Sequence, residues 1–148
     1  MPINAWTKGA AFERLIVRKI NECLAKEGLE DRVARNFDQS WKAGLADIYF
    51  RNFAIECKRY GKSNTNMYKQ DWWEQVLKSA GDDFIPILIY KFDRKTEMCV
   101  LPAWLVSSAP KNNQIVYMCP LEEVCQKITK VLGKSNVSRW WIWKVLQR

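Results

Sequence analysis

The stretch from Leu45 to Arg59, LADIYFRNFAIECKR, contains two short apolar runs separated by Arg51 and Asn52. Runs of this length that are rich in aromatic and β-branched residues are typical of β-strands. A two-residue loop favours a tight β-hairpin, and asparagine tolerates the positive φ that such a turn requires. We therefore expect two antiparallel strands, with Asn52 taking the left-handed position of the turn.

This hairpin determines which charged side chains come together. If Arg51 and Asn52 form the loop, Asp47 lies directly opposite Glu56, with Cβ atoms about 5 Å apart. Lys58 lies on the same face, because side chains alternate along a strand. Opposed like charges destabilise a sheet, whereas a divalent cation shared by two carboxylates would remove the repulsion. The register therefore predicts a metal site.

The other face of the hairpin is apolar and is expected to lie in the core. It carries Phe50, Phe53, Ile55 and Cys57. We thus expect Cys57 to be a core side chain and not a reactive thiol. The periodicity also predicts a helix from Thr7 to Lys26, with Thr7 as its N-cap and Gly28 as its C-terminal stop. A third acid, Glu13, lies at the end of the apolar stripe of this helix.

The remaining elements complete the predicted fold. A helix is expected over residues 67–81, strands over 85–92, 96–102 and 114–119, a helix over 121–132, and either a strand or an aromatic-rich segment over 139–146. This order predicts the α/β class, with a central mixed β-sheet flanked by helices. The absence of a repeat or linker predicts one domain over residues 1–148. Trp72 and Trp73 are adjacent in the second helix, so we expect one in the core and one at a dimer interface.

Composition limits the function. The net charge of +8 suits a polyanionic partner such as nucleic acid. The absence of histidine excludes Ser-His-Asp hydrolysis, Cys-His catalysis and His-metal nucleases. Five cysteines without a CxxC pair indicate reduced, mostly buried thiols. No apolar run approaches the roughly 20 residues that cross a bilayer, and no secretory signal is evident, so we expect no membrane association.

The charged residues of the hairpin and the first helix resemble the motifs of the PD-(D/E)XK nuclease superfamily. Within that superfamily, they resemble the motifs of Holliday-junction resolvases of the archaeal and phage type. KGAAFERLI (8–16) is similar to their KGxxxERxL motif, ADI (46–48) to their PDI, and IECK (55–58) to their IECK. Gln75 is the best match to a glutamine of the following helix. The resemblance covers about Lys8 to Phe92, with alanine in place of the proline before Asp47.

The resemblance implies a restriction-endonuclease-like core and a set of catalytic residues. These are Glu13, Asp47, Glu56, Lys58 and Gln75. It also implies Mg²⁺, for which Mn²⁺ could substitute, held by Asp47, Glu56, the backbone carbonyl of Cys57 and Glu13. Lys58 would orient or help deprotonate the attacking water, or stabilise the transition state, and Gln75 would position the water or the Lys58 ammonium.

Residues that flank the site in sequence are candidates for contacts with DNA phosphates. These are Lys8, Arg14, Ser40, Lys42, Arg59 and Lys62. The predicted activity is that of a Mg²⁺-dependent endodeoxyribonuclease that resolves four-way DNA junctions, in the cytoplasm of a prokaryote or a phage-infected host. Cutting two opposed strands requires two sites, which predicts a C2 homodimer. Two alternatives remain open: a restriction-like or repair endonuclease on the same core, and a non-catalytic DNA-binding module.

Overall fold

A computed structural model describes residues 5–36, 44–124 and 126–127 of the chain. Its elements are α1 (Ala5–Lys26), β1 (Ile48–Phe50), β2 (Phe53–Arg59), α2 (Gln70–Ala80), β3 (Ile85–Lys91), β4 (Met98–Pro102) and β5 (Val116–Pro120). A 3₁₀ turn, Ala103–Leu105, follows β4, and residues 121–124 begin the expected further helix. Ser40, Lys42 and the aromatic-rich segment 139–146 lie outside the described residues.

The five strands form one mixed sheet in the order β1-β2-β3-β4-β5. β2 and β3 are parallel, and the other neighbouring pairs are antiparallel. A parallel pair requires a crossover connection, which α2 supplies between β2 and β3. This architecture confirms the predicted α/β class, with a central mixed sheet flanked by helices.

The hairpin of β1 and β2 has the predicted register. The pairs are Phe50 with Phe53, Tyr49 with Ala54, and Ile48 with Ile55. The left-handed position of the turn was predicted wrongly, because Arg51 has a φ of 52° and Asn52 has no positive φ. A two-residue turn with positive φ at its first central position is one of the two turns that match the strand twist. One step beyond β1, the same register brings Asp47 opposite Glu56.

Helix α1 begins earlier than predicted and ends where predicted. Thr7 is not the N-cap, because the helix already includes Ala5, a strong helix former. At the other end Gly28 has a φ of 75°, and the N–H of Leu29 donates to the carbonyl of Leu24 at 2.9 Å. This is the Schellman arrangement, in which glycine takes the left-handed position without a Cβ clash. Within the described ranges, no helix is both long and apolar enough to cross a bilayer.

Two apolar clusters cover the two faces of the sheet. The cluster under α1 includes Phe12, Ile16, Leu24, Ile48, Phe50, Phe53, Ile55, Ile87 and Ile89. The cluster under α2 includes Trp72, Trp73, Val76, Leu88, Tyr90, Phe92 and Val100. Cys57 packs against the α1 cluster, and its burial raises the pKa of the thiol well above the usual value. The prediction of an unreactive core thiol is consistent with this burial.

The tryptophan pair of α2 is buried as a whole. Trp72 is 5% exposed and Trp73 is 1% exposed, so the expectation that one of them reaches a dimer interface is wrong. The indole N–H of Trp73 donates to the carbonyl of Asn113 at 3.0 Å, whereas Trp72 contacts Tyr60 and Phe92. Adjacent side chains of a helix point about 100° apart, so burial of both requires a wide contact surface. The apolar cluster under α2 provides this surface.

Candidate active site

Asp47 and Glu56 are the charged side chains that are buried among the described residues, at 3% and 2% exposure. A carboxylate oxygen of Asp47 accepts a hydrogen bond from the backbone N–H of Cys57 at 2.7 Å. A carboxylate oxygen of Glu56 accepts one from the backbone N–H of Asp47 at 3.3 Å. These bonds hold the two carboxyl groups next to each other across the hairpin, as the register predicts.

Helix α2 contributes Gln75 to the same place. The side-chain amide of Gln75 donates to the second carboxylate oxygen of Glu56 at 2.7 Å. The structure therefore brings the predicted glutamine into the site, with a carboxylate as its partner. Lys58 is half-buried and lies two residues beyond Glu56 on the same face of β2.

Glu13 approaches the hairpin from α1. Its side chain is 14% exposed, and its carboxylate accepts a hydrogen bond from the Nε–H of Arg35 at 2.8 Å. The Nη2 atom of Arg35 lies 2.7 Å from the same carboxylate oxygen, which makes the contact an ion pair. Asp47 lies close enough to Glu13 to raise the pKa of its carboxyl group. The three acids of the sequence motifs thus form one cluster, which we call the acid cluster: Glu13, Asp47 and Glu56.

Burial and mutual repulsion make the acid cluster difficult to ionise. Burial, together with the nearby Asp47 charge, raises the pKa of Glu56 to about 8, while Lys58 opposes this shift. Burial and Asp47 likewise raise the pKa of Glu13 to about 7, against the opposing effect of Arg35. Crowded carboxyl groups that resist ionisation are stabilised when a cation lies between them.

The donors of the acid cluster fit a divalent cation. They are hard carboxylate oxygens, which Mg²⁺ and Mn²⁺ prefer. In the part of the chain that is described, no group of three acidic or thiol side chains is placed so that it could hold a metal ion by itself. Mg²⁺ does not need such a group, because it is commonly held by one or two carboxylates, with water and substrate phosphate completing its shell.

Comparison with known proteins identifies the family. The sequence profile described as "Phage putative PDDEXK endonuclease" matches residues 4–141. The chain belongs to this family. The assignment to the PD-(D/E)XK superfamily, which the motifs around Asp47 and Glu56 indicated, is confirmed.

A solved structure is also similar to this PDDEXK protein. It is Hjc, a Holliday junction resolvase from the archaeal hyperthermophile Archaeoglobus fulgidus, at 20% sequence identity and a TM-score of 0.45. The similarity covers 81% of this chain and 98% of that chain. A search of curated proteins gave no match.

The predicted DNA-contacting residues of this PDDEXK protein differ in their surroundings. Lys8 and Arg59 meet at Asp93, with nitrogen–oxygen distances of 2.8 and 2.7 Å. Hydrogen bonds from both lower the pKa of Asp93. This ion-pair cluster joins α1 to the end of β2. Arg14 and Lys62 are exposed to solvent.

The coil 29–36 holds residues of the site that no sequence motif indicated. The backbone N–H of Asn36 donates to the carbonyl of Asp47 at 2.7 Å, and its side-chain amide donates to the carbonyl of Ala46 at 3.1 Å. The Tyr49 hydroxyl accepts from the N–H of Ala46 at 3.1 Å. Together with Arg35, these groups position the acid cluster. The available signal was the Arg35-Asn36 pair immediately before the polar stretch that precedes the hairpin.

Proposed function

We propose that this PDDEXK family member is a Mg²⁺-dependent, structure-selective endodeoxyribonuclease that resolves four-way DNA junctions by paired phosphodiester hydrolysis. The observation that carries the proposal is the acid cluster, which lies between α1 and α2 with Gln75 bonded to Glu56 and Lys58 beside it. A nuclease of this superfamily needs these residue types together, and elements far apart in sequence deliver them to one place.

The side chains have separable roles in this proposal. Asp47, Glu56, the backbone carbonyl of Cys57 and Glu13 would hold the cation. When bound, the cation would supply charge stabilisation on the phosphate oxygens and a more acidic water. Lys58 would orient the attacking water or place its ammonium against the negative charge that develops on the phosphate. The hydrogen bond from Gln75 fixes the orientation of the Glu56 carboxyl group.

Charge supports DNA as the substrate. The net charge of +8 favours binding to a polyanion, and the exposed Arg14 and Lys62 are available to phosphates. The preference for four-way junctions is supported by the resemblance of residues 8–16 and 55–58 to resolvase motifs. A C2 homodimer would give the two symmetric cuts that resolution requires. Mn²⁺ is expected to replace Mg²⁺, because both prefer oxygen ligands.

Cleavage of a four-way junction, compared with a linear duplex of the same sequence, tests this function. We expect the wild type in Mg²⁺ to cut two opposed strands of the junction and to leave the duplex largely intact, with no cutting in EDTA. Asp47→Asn should abolish cleavage but retain DNA binding that weakens as salt rises. Glu30→Gln, which removes an exposed acid, is the matched control and should cut normally.

Each other outcome would reject the proposal in a distinguishable way. Equal cutting of junction and duplex would favour a restriction-like or repair endonuclease. Binding of DNA without cleavage in either Mg²⁺ or Mn²⁺ would favour a non-catalytic DNA-binding module. Cleavage by Asp47→Asn at the wild-type rate would remove the acid cluster from the mechanism.

A further inference from the structure

A group of aromatic rings with a cation lies immediately after β2, two residues beyond Lys58. Tyr60 is 45% exposed and packs against Trp72, with the ring centroids 4.9 Å apart. The Lys69 ammonium lies 4.6 Å from the centroid of the Tyr60 ring and 5.8 Å from that of Trp72. We call these three residues the aromatic shelf. The ring of Tyr60 is exposed to solvent, and the ring of Trp72 beneath it belongs to the core under α2.

Tyr60 of the aromatic shelf continues strand β2 on the face that carries Glu56. The backbone N–H of Tyr60 donates to the carbonyl of Lys91 at 3.0 Å, which extends the β2–β3 ladder by one residue. Because side chains alternate along a strand, Glu56, Lys58 and Tyr60 follow one another on the same face. Tyr60 is about 7 Å from Lys58 along the strand, at roughly 3.3 Å per residue. Successive base pairs of DNA are about 3.4 Å apart, so this distance corresponds to about two nucleotides.

The chemistry of the aromatic shelf suits a nucleotide. Exposed aromatic rings stack on bases of any sequence, and neighbouring cations meet the phosphates. Lys69 is exposed and, among the ion pairs found in the described ranges, it has no carboxylate partner. This distinguishes it from Lys8 and Arg59, whose charges are paired with Asp93.

We propose that the aromatic shelf is a nucleotide subsite, on which Tyr60 stacks one base that has left the duplex near the cleaved phosphate. Lys69 contacts the phosphate of that nucleotide. A branch point is where DNA offers an unstacked base at low cost, so the aromatic shelf contributes to the preference for branched over linear DNA. The inference rests on the proposed nuclease function and adds a binding site that hydrolysis itself does not require.

Binding measurements in the cleavage-deficient Asp47→Asn background test the subsite. The probe is a fluorescent four-way junction, intact or with one abasic residue placed in turn at each nucleotide around the branch point. Tyr60→Ala should weaken binding of the intact junction by about tenfold, as expected for the loss of one base–aromatic stack. For one position of the abasic residue, the Asp47→Asn protein should bind the abasic junction about tenfold more weakly than the intact junction. The protein that also carries Tyr60→Ala should bind that abasic junction and the intact junction equally, because it has no ring for the missing base. Tyr60→Phe should bind normally, because it keeps the ring.

The controls separate stacking from a structural role. Ile115→Ala truncates another exposed apolar side chain, next to β5, and should leave binding unchanged. Normal binding of the intact junction by Tyr60→Ala would overturn the inference. So would an equal loss of affinity for the intact junction and for every abasic junction. Neither result would affect cleavage of the junction by the wild type, so the proposed function would remain. A wild type that bound no DNA would instead overturn the proposed function, and the subsite with it.

Discussion

In the absence of divalent cations, the folded protein is expected to lose stability as the pH rises from about 5 to 8, with Glu56 as a main cause. Burial, with Asp47 nearby, raises the pKa of Glu56 from its usual 4.5 to about 8. Between these values the folded protein retains a proton that the unfolded chain has already released. Each pH unit then lowers the free energy of unfolding by about 1.4 kcal/mol. The loss amounts to about 3–4 kcal/mol between pH 5 and 8, slightly less than three full steps because each titration is gradual.

Urea unfolding in EDTA, followed by tryptophan fluorescence at a series of pH values, measures this slope. Glu56→Gln removes the titrating group but keeps an oxygen that accepts the hydrogen bond from Gln75. The variant should be more stable than the wild type near pH 8, with a slope shallower by about 1.4 kcal/mol per pH unit. Glu74→Gln, which changes an exposed acid of α2, should retain the wild-type slope.

Two results would refute this reasoning. Parallel pH slopes for the wild type and Glu56→Gln would show that the buried carboxyl is already ionised in the folded protein. A wild-type slope that Mg²⁺ leaves unchanged would show that no cation binds at this carboxyl. We expect Mg²⁺ to reduce the wild-type slope, because a bound cation stabilises the ionised carboxyl group and lowers its pKa.

Three further predictions concern other parts of the structure. Trp73→Ala should lower the free energy of unfolding by about 3–5 kcal/mol, because the side chain is 1% exposed; a loss below about 1 kcal/mol would mean that Trp73 lies at a surface. Gly28→Ala should cost about 1–2 kcal/mol in the same urea assay, because the residue has a φ of 75°, and an unchanged midpoint would contradict the left-handed helix end. Asp93→Asn should release Lys8 and Arg59 for contact with DNA phosphates. Fluorescence anisotropy of labelled DNA should then show tighter binding that depends more steeply on salt. An unchanged salt slope would exclude both cations from the DNA interface.

The hairpin and the acid pair on it could be predicted from sequence because they depend on local rules. A two-residue loop fixes the register, and side-chain alternation then decides which residues share a face. The pairing of Ile48 with Ile55 follows from this alone, and so does the approach of Asp47 to Glu56. Glu13 and Gln75 could be placed only through the resemblance to a known family, because α1 and α2 are positioned by packing on opposite faces of the sheet.

The remaining parts depend on tertiary contacts that leave no periodic signal. The coil that contains Arg35 and Asn36 has no helical or strand pattern, and its function becomes evident only where it meets Glu13 and Asp47. The burial of both tryptophans of α2 was missed because a helix-face argument assumes a narrow contact, whereas this helix packs into a broad aromatic cluster. The left-handed φ of Arg51 was assigned to Asn52, since residue preference alone does not decide which turn type forms.

Calorimetric titration with Mn²⁺ tests most directly whether Asp47 and Glu56 share a divalent cation. We expect saturable binding to the wild type and to the Glu30→Gln control. Loss of a ligand in Asp47→Asn should weaken the affinity by at least about tenfold, which is the lower end of the effect of removing even a supporting residue. Equal Mn²⁺ affinity of the wild type and Asp47→Asn, with both proteins folded, would contradict a cation site shared by Asp47 and Glu56.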